Sequence, residues 1–157
     1  MYMKRDRGLS LIEIVVVIGL LTAIAGLSML VSIDTYRSYL FRGERDKVVQ
    51  ALQKARSRAI HNICFGAGCS NGRPHGVNID SSTGTVTNFQ GTSVSELPSV
   101  NDPFSLNDGI TISGLSDVVF SQLSGDAAPE GNITITDEVG HISVISINSE
   151  GQILWTN

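Results

Sequence analysis

Four side chains able to hold a metal or attack an electrophile fall close together: His61, Cys64, Cys69 and His75, spaced H-x2-C-x4-C-x5-H. Imidazole and thiolate are ligands that zinc accepts, but structural zinc modules usually present tighter C-x2-C spacing. The same residues offer a cysteine nucleophile with a histidine base. Against that stand Gly66 and Gly68, which make the segment flexible, and the lack of an oxyanion motif. The two cysteines can also close on each other as a disulfide around Phe65-Gly66-Ala67-Gly68. A ring that short is worth about 2 kcal/mol in the chain-entropy model. Two acid pairs, Asp102 with Asp108 and Asp137 with Glu138, offer oxygen ligands for calcium. Neither fits the EF-hand pattern, and solvated turn carboxylates are the simpler reading. No GxGxxG, Walker or HExxH motif occurs, and Asn132-Ile133-Thr134 is a glycosylation sequon in form only. One acid stands apart from all of these: Glu13 is the only charge between residues 9 and 33.

The elements that position these residues follow from how charge and apolar content are distributed. The chain has 157 residues, 41 % of them hydrophobic and 17 % charged. That is too apolar for a disordered chain and low in charge for an ordinary soluble domain. The net charge of -4 argues against a general nucleic-acid binder. The average conceals a division. Residues 1–8 hold Lys4, Arg5 and Arg7 against Asp6, and residues 9–58 hold seven basic and four acidic side chains. Residues 59–157 hold one basic residue, Arg73, against ten acids, a net of -9.

Residues 14–33 form an uncharged run of 20. As a helix it is roughly 30 Å long, the thickness of a bilayer core. A buried helix of a soluble domain would usually keep a polar stripe. A secretory signal peptide would have a shorter apolar stretch followed by a small-x-small site. The run is therefore read as a retained membrane helix, with basic residues on both flanks that leave its orientation open. A carboxylate within such a helix costs roughly 2.5–3.5 kcal/mol on insertion scales, so Glu13 is a functional candidate. The alternative places it idle at the headgroup level.

Basic residues, then Gly8, then Leu9-Ser10-Leu11-Ile12-Glu13 and a long apolar run resemble the class III leader of type IV prepilins. The resemblance covers about the first 30 residues and implies a sequence of events. A prepilin peptidase would cut between Gly8 and Leu9 on the cytoplasmic side, and the new Leu9 amine would be N-methylated. Glu13, fifth in the processed chain, would pair with the Leu9 amine of a neighbouring subunit during assembly. Leu9 stands where phenylalanine is commoner, and Leu30 where many pilins have a proline. The head would face an oxidising compartment, which favours the Cys64–Cys69 disulfide. A reduced pair and a zinc site remain as alternatives.

No proline occurs before Pro74. Val48, Leu52, Ala55, Ala59 and Ile63 recur at helical spacing, with Val49 and Ile60 widening the stripe. This predicts an amphipathic helix over 37–61, as in the extended helix of type IV pilins and type II secretion pseudopilins. Beyond it, β-branched residues alternate with polar ones. Strands are expected at 77–79 and 85–87 around Ser82-Thr83-Gly84, and at 110–112 and 118–120. A loop with Pro98 and Pro103 lies between these pairs. A closing meander is expected at 133–136, 142–147 and 152–155, turning at 138–140 and 148–151. Residues 76–80, 118–120 and 145–153 resemble corresponding stretches of GspH (H-type) pseudopilins and FimT-like minor pilins. Some FimT-like proteins bind DNA through basic residues near the last hairpin. Here Gln152 stands at such a place, and the acidic head would repel phosphate, which disfavours nucleic acid as a partner.

The expected fold is α+β: a long N-terminal helix packed on a small antiparallel β-sheet head, the pilin fold. Its expected parts are a leader at 1–8, a transmembrane and filament-core helix at 9–33, an amphipathic helix at 34–63 and a β-rich head at 64–157. The resemblance implies a non-enzymatic subunit of a type IV pilus or type II secretion pseudopilus, of the minor kind, with no cofactor and no metal. Its partners would be other pilin or pseudopilin subunits, the prepilin peptidase and an inner-membrane assembly platform with its ATPase. It would cross the inner membrane once, head outside the cytoplasm, before entering a filament. The alternatives are a major pilin of an adhesive or motility filament and a membrane-anchored periplasmic enzyme, binding protein or zinc protein.

Overall fold

The computed structural model describes residues 10–66 and 69–156. The chain divides into two compact units, Met1–Tyr39 and Leu40–Asn157. One helix, α1 (Leu11–Ile60), contributes to both. In the first unit its large apolar side chains are bare: Leu11 is 80 % exposed and Leu27 68 %. In the second unit, Phe41, Val48, Val49, Ala51, Leu52, Ala55 and Ala59 are buried. These positions recur at three and four residues, as one face of a helix requires.

The helix stops for a local reason. Asn62 takes a left-handed conformation (φ 56°), the Ile63 N–H bonds the Arg58 carbonyl at 2.9 Å, and the Asn62 N–H bonds the Ala59 carbonyl at 3.1 Å. This is a Schellman ending, with asparagine in the place glycine usually takes. The expected apolar stripe therefore ends at Ala59. Ile60, 36 % exposed, ends the helix beside that stripe, and Ile63, 37 % exposed, follows the turn, so neither joins the core.

The head contains two antiparallel sheets where one was expected. The strands are β1 (His75–Asp80), β2 (Thr85–Gln90), β3 (Asp102–Ser105), β4 (Ile110–Gly114), β5 (Asp117–Phe120), β6 (Ala127–Ala128), β7 (Gly131–Asp137), β8 (Ile142–Ile147) and β9 (Ile153–Thr156). One sheet has the order β3-β2-β1-β5-β6 and the other β4-β7-β8-β9. The chain changes sheets between β4 and β5. Gly114 (φ 106°) makes that departure possible, since a Cβ there would collide with the Asn132 carbonyl. The three hairpins expected from turn residues all form: Asp80 with Thr85, Thr136 with Ile142, and Ile147 with Ile153 are paired in register. The expected loop through Pro98 and Pro103 is more ordered than its prolines imply. Pro98 opens a short 3-10 turn, Pro98–Val100, and Pro103 sits within edge strand β3 opposite Thr87. An edge strand accepts proline because its N–H need not enter the ladder.

Both sheets and the helix share one core. Val77, Ile79, Val86, Val118 and Phe120 from the first sheet meet Ile112, Ile133, Ile135, Ile145 and Ile147 from the second, around Val48 and Leu52. The inward set on β8, Ser143, Ile145 and Ile147, alternates with less buried neighbours, as the pleat dictates. Leu52 has no exposed surface. Leu52→Ala is expected to lower head stability by about 2–5 kcal/mol, while Leu27→Ala leaves it unchanged, as read by urea unfolding of the two variants.

Candidate functional site

Gly8 and Leu9, the expected cleavage and methylation positions, lie outside the described residues, as does the whole 1–8 leader. Glu13 stands in the first turn of α1, where negative charge complements the free N–H groups of a helix end. Its backbone N–H bonds the Ser10 carbonyl at 3.0 Å. Its side chain is exposed, and its carboxylate makes no ion pair or hydrogen bond among the described residues. Around it Leu11, Ile12, Ile14 and Val15 are also exposed. Among the described residues no helix is long and apolar enough to cross a membrane. The expected membrane stretch includes residues 28–32, whose side chains the structure does not describe.

The cysteine–histidine constellation is resolved into separate structural roles. Cys64 and Cys69 form a disulfide with Cα atoms 5.8 Å apart. His61 Nδ1 lies 2.7 Å from the Ser57 carbonyl, and His75 Nε2 lies 2.8 Å from the Ile63 carbonyl. Among the described residues no three His, Cys, Asp or Glu side chains gather as a metal site. One member of each acid pair is taken by a basic partner. Asp102 binds Lys54 at 2.6 Å and Asp137 binds His141 at 2.7 Å.

The disulfide loop is held by Gln90 and Arg58, which sequence reasoning missed, and by His75, which it read as a metal or catalytic candidate. Gln90, buried at the end of β2, accepts the Phe65 N–H at 2.6 Å and donates to the Phe65 carbonyl at 3.1 Å. One side-chain amide thus acts as a strand partner for the residue next to Cys64. His75, on the neighbouring strand, fixes Ile63. Arg58 lies 4.8 Å above the Phe65 ring, a cation–π contact that ties the last helical turn to the same loop. Buried polar residues at the ends of β1 and β2 were the available signal, but alternation alone could not distinguish them from solvated positions.

Three further polar residues are placed unexpectedly. Glu44 and Arg45 are buried on α1 between Phe41 and Val48, at positions that extending the apolar stripe backwards would have marked. Glu44 binds Lys47 at 2.8 Å and receives the Asn107 N–H at 3.4 Å, while Arg45 forks onto Asp46. Arg56 reaches across the fold to the Glu150 carbonyl at 3.0 Å, in the last hairpin turn. That turn depends on Gly151 (φ 70°), where a Cβ would strike the Gly125 carbonyl and Arg56 Nε.

No protein-family model and no curated protein matches the chain. Among solved structures, the fold is similar to that of the minor pseudopilin EpsH from the Type 2 Secretion System of Vibrio cholerae. The TM-score is 0.51 at 15 % sequence identity, over 71 % of this chain and 91 % of that one. The fold is thus pilin-like: a long N-terminal helix whose second part packs against antiparallel sheets.

Burial holds the His75 imidazole below its usual value of 6.5, and the Arg58 charge acts the same way against the opposing pull of the Ile63 carbonyl. The native state therefore keeps His75 neutral. As pH falls through 6.5, the unfolded chain takes up a proton that the folded chain refuses, so stability is full above that value and declines below it. Urea unfolding between pH 7.5 and 5 should show this decline, and His75→Gln should flatten it.

Proposed function

We propose that the chain is a structural subunit of a type IV pilus or type II secretion pseudopilus, of the minor, GspH/FimT-like kind. One observation carries the reading. A single helix bears a bare apolar surface from Leu11 to Leu27, and the same helix further on supplies the buried stripe of a pilin-like head. Exposed leucine, isoleucine and valine in such number need a cover, and burial gains about 25 cal/mol per Å² of apolar surface. The lipid bilayer covers them before assembly, and the equivalent helices of sister subunits cover them afterwards. Exchange between two apolar surroundings leaves the hydrophobic contribution nearly level, so assembly is decided by polar contacts.

Glu13 supplies such a contact. Cleavage between Gly8 and Leu9 creates a charged amine four residues away, and N-methylation retains its charge. An amine from one subunit and the Glu13 carboxylate of the next neutralise each other where an unpaired charge is costly. The pair exists only once the leader is removed, which makes processing the trigger for assembly. The partners in this reading are other pilin or pseudopilin subunits, the prepilin peptidase and the inner-membrane platform. The head, with its disulfide, lies outside the cytoplasm, where thiols are oxidised.

N-terminal mass spectrometry of the full chain is the direct test: with a prepilin peptidase present, the mature protein begins at a methylated Leu9. A terminus beyond residue 33 would overturn the proposal. Glu13→Ala is expected to leave cleavage intact and reduce incorporation into sheared filaments at least tenfold by immunoblot. Normal incorporation would remove the charge pairing.

A further inference from the structure

Asn71-Gly72 is the only Asn-Gly pair in the chain. Asparagine is chemically labile where the next backbone nitrogen can reach its side-chain carbonyl carbon. Glycine, lacking a Cβ, hinders that approach least. The fold leaves this pair free to react. Both residues lie outside helices and strands, and Asn71 is exposed. The segment is tied on one side by the Cys64–Cys69 disulfide and on the other by the Arg73–Glu96 ion pair at 2.7 Å. Between these ties, Ser70, Asn71 and Gly72 make no hydrogen bond among the described residues, so ring closure there breaks none. Other asparagines are protected. Asn78, Asn88 and Asn132 lie within strands and precede bulky residues. Asn148 uses both amide atoms on Gln152, and Asn101 donates to the Val94 carbonyl at 2.8 Å.

We propose that Asn71 is a site of spontaneous conversion to isoaspartate, and that the conversion loosens the end of α1. The Gly72 nitrogen gives up its proton and attacks the Asn71 Cγ. A bond forms between them, the Cγ–Nδ2 bond breaks, and ammonia leaves with that proton. The product is a five-membered cyclic imide. Water, the only co-reactant, then adds to either carbonyl carbon of the ring. Opening at Cγ gives aspartate. Opening at the main-chain carbon gives isoaspartate, whose backbone runs through Cβ and Cγ and is one carbon longer. Either product adds one negative charge. The position leaves little room for the extra carbon, since a Cβ on Gly72 would overlap the Asn62 side chain. Asn62 is the left-handed residue that ends α1, and its Oδ1 accepts a hydrogen bond from Gln122 Nε2. A longer main chain at 71–72 displaces these groups. Each head thus weakens with age at the joint between helix and strands, by chemistry that needs no partner and is independent of the filament.

The test incubates the full-length chain in detergent at pH 7 and pH 8.5 and samples it by peptide mapping and by methyl transfer from an isoaspartyl methyltransferase. Asn71 is expected to gain the mass of an amide turned acid, with isoaspartate the main product, at least tenfold faster than any other asparagine. The rate should rise with pH, because the attacking species is the deprotonated Gly72 nitrogen. Asn71→Ser should remove the signal at that position. An intact Asn71, or equal conversion at Asn101 and Asn107, would overturn the site. Urea unfolding then compares aged wild type with fresh Asn71→Asp, which carries the added charge without the added backbone carbon. A lower midpoint in the aged protein supports the loosened joint, and equal midpoints would overturn it. Aged Asn71→Ser should keep its midpoint, and a fall there equal to that of wild type would assign the weakening to another residue.

Discussion

Everything in the head is organised by the burial of one helical stripe between two sheets. Val48, Leu52, Ala55 and Ala59 are almost wholly removed from solvent, and the two alanines let strand side chains approach closely. Neither sheet could be stable alone, because each has an apolar face that requires a second layer. The stripe is what allows Val77 and Val118 on one sheet and Ile133 and Ile145 on the other to join a single core. The polar residues at its margins follow from the same constraint. Glu44 is buried because Phe41 and Val48 on either side of it are, and it is satisfied by Lys47 and by the Asn107 N–H.

The end of the helix is secured by a second, polar set of contacts. Asn62 turns the chain, the disulfide shortens the following loop, Gln90 pairs with Phe65 as a strand would, and His75 holds Ile63. Buried amide and imidazole groups are stable there because each meets a backbone partner. Cys64, Cys69 and His75, which resemble part of a metal or catalytic cluster in one dimension, fasten the end of the helix in three.

Charge is divided between the helix and the remainder of the chain, and the folded head neutralises only part of it. Lys54 with Asp102 and Arg73 with Glu96 bridge distant segments at the surface, where such pairs contribute little to stability. The carboxylates left over keep the head acidic. That polarity steers what can approach it more than it strengthens the fold.

Much of the architecture was legible from local pattern. Helical spacing from Val48 to Ala59, the turn residues at Ser82-Thr83-Gly84 and Asn148-Ser149-Glu150-Gly151, and the alternation of the closing strands each depend on neighbours within a few residues. The apolar run and the solitary Glu13 are likewise properties of the chain before it folds, and they determined the candidate assembly site. What the sequence could not determine was which strands share a sheet. Segments 110–114 and 117–120 are adjacent in the chain yet pair with β7 and β1 respectively, a choice made by the turn at Gly114 and by the room beneath the helix. The joining of Arg56 to Glu150, 94 residues apart, and of Gln90 to Phe65 was likewise decided only in the folded state. Periodicity records which side chains seek burial, whereas partners between distant segments are set by where packing brings the backbone.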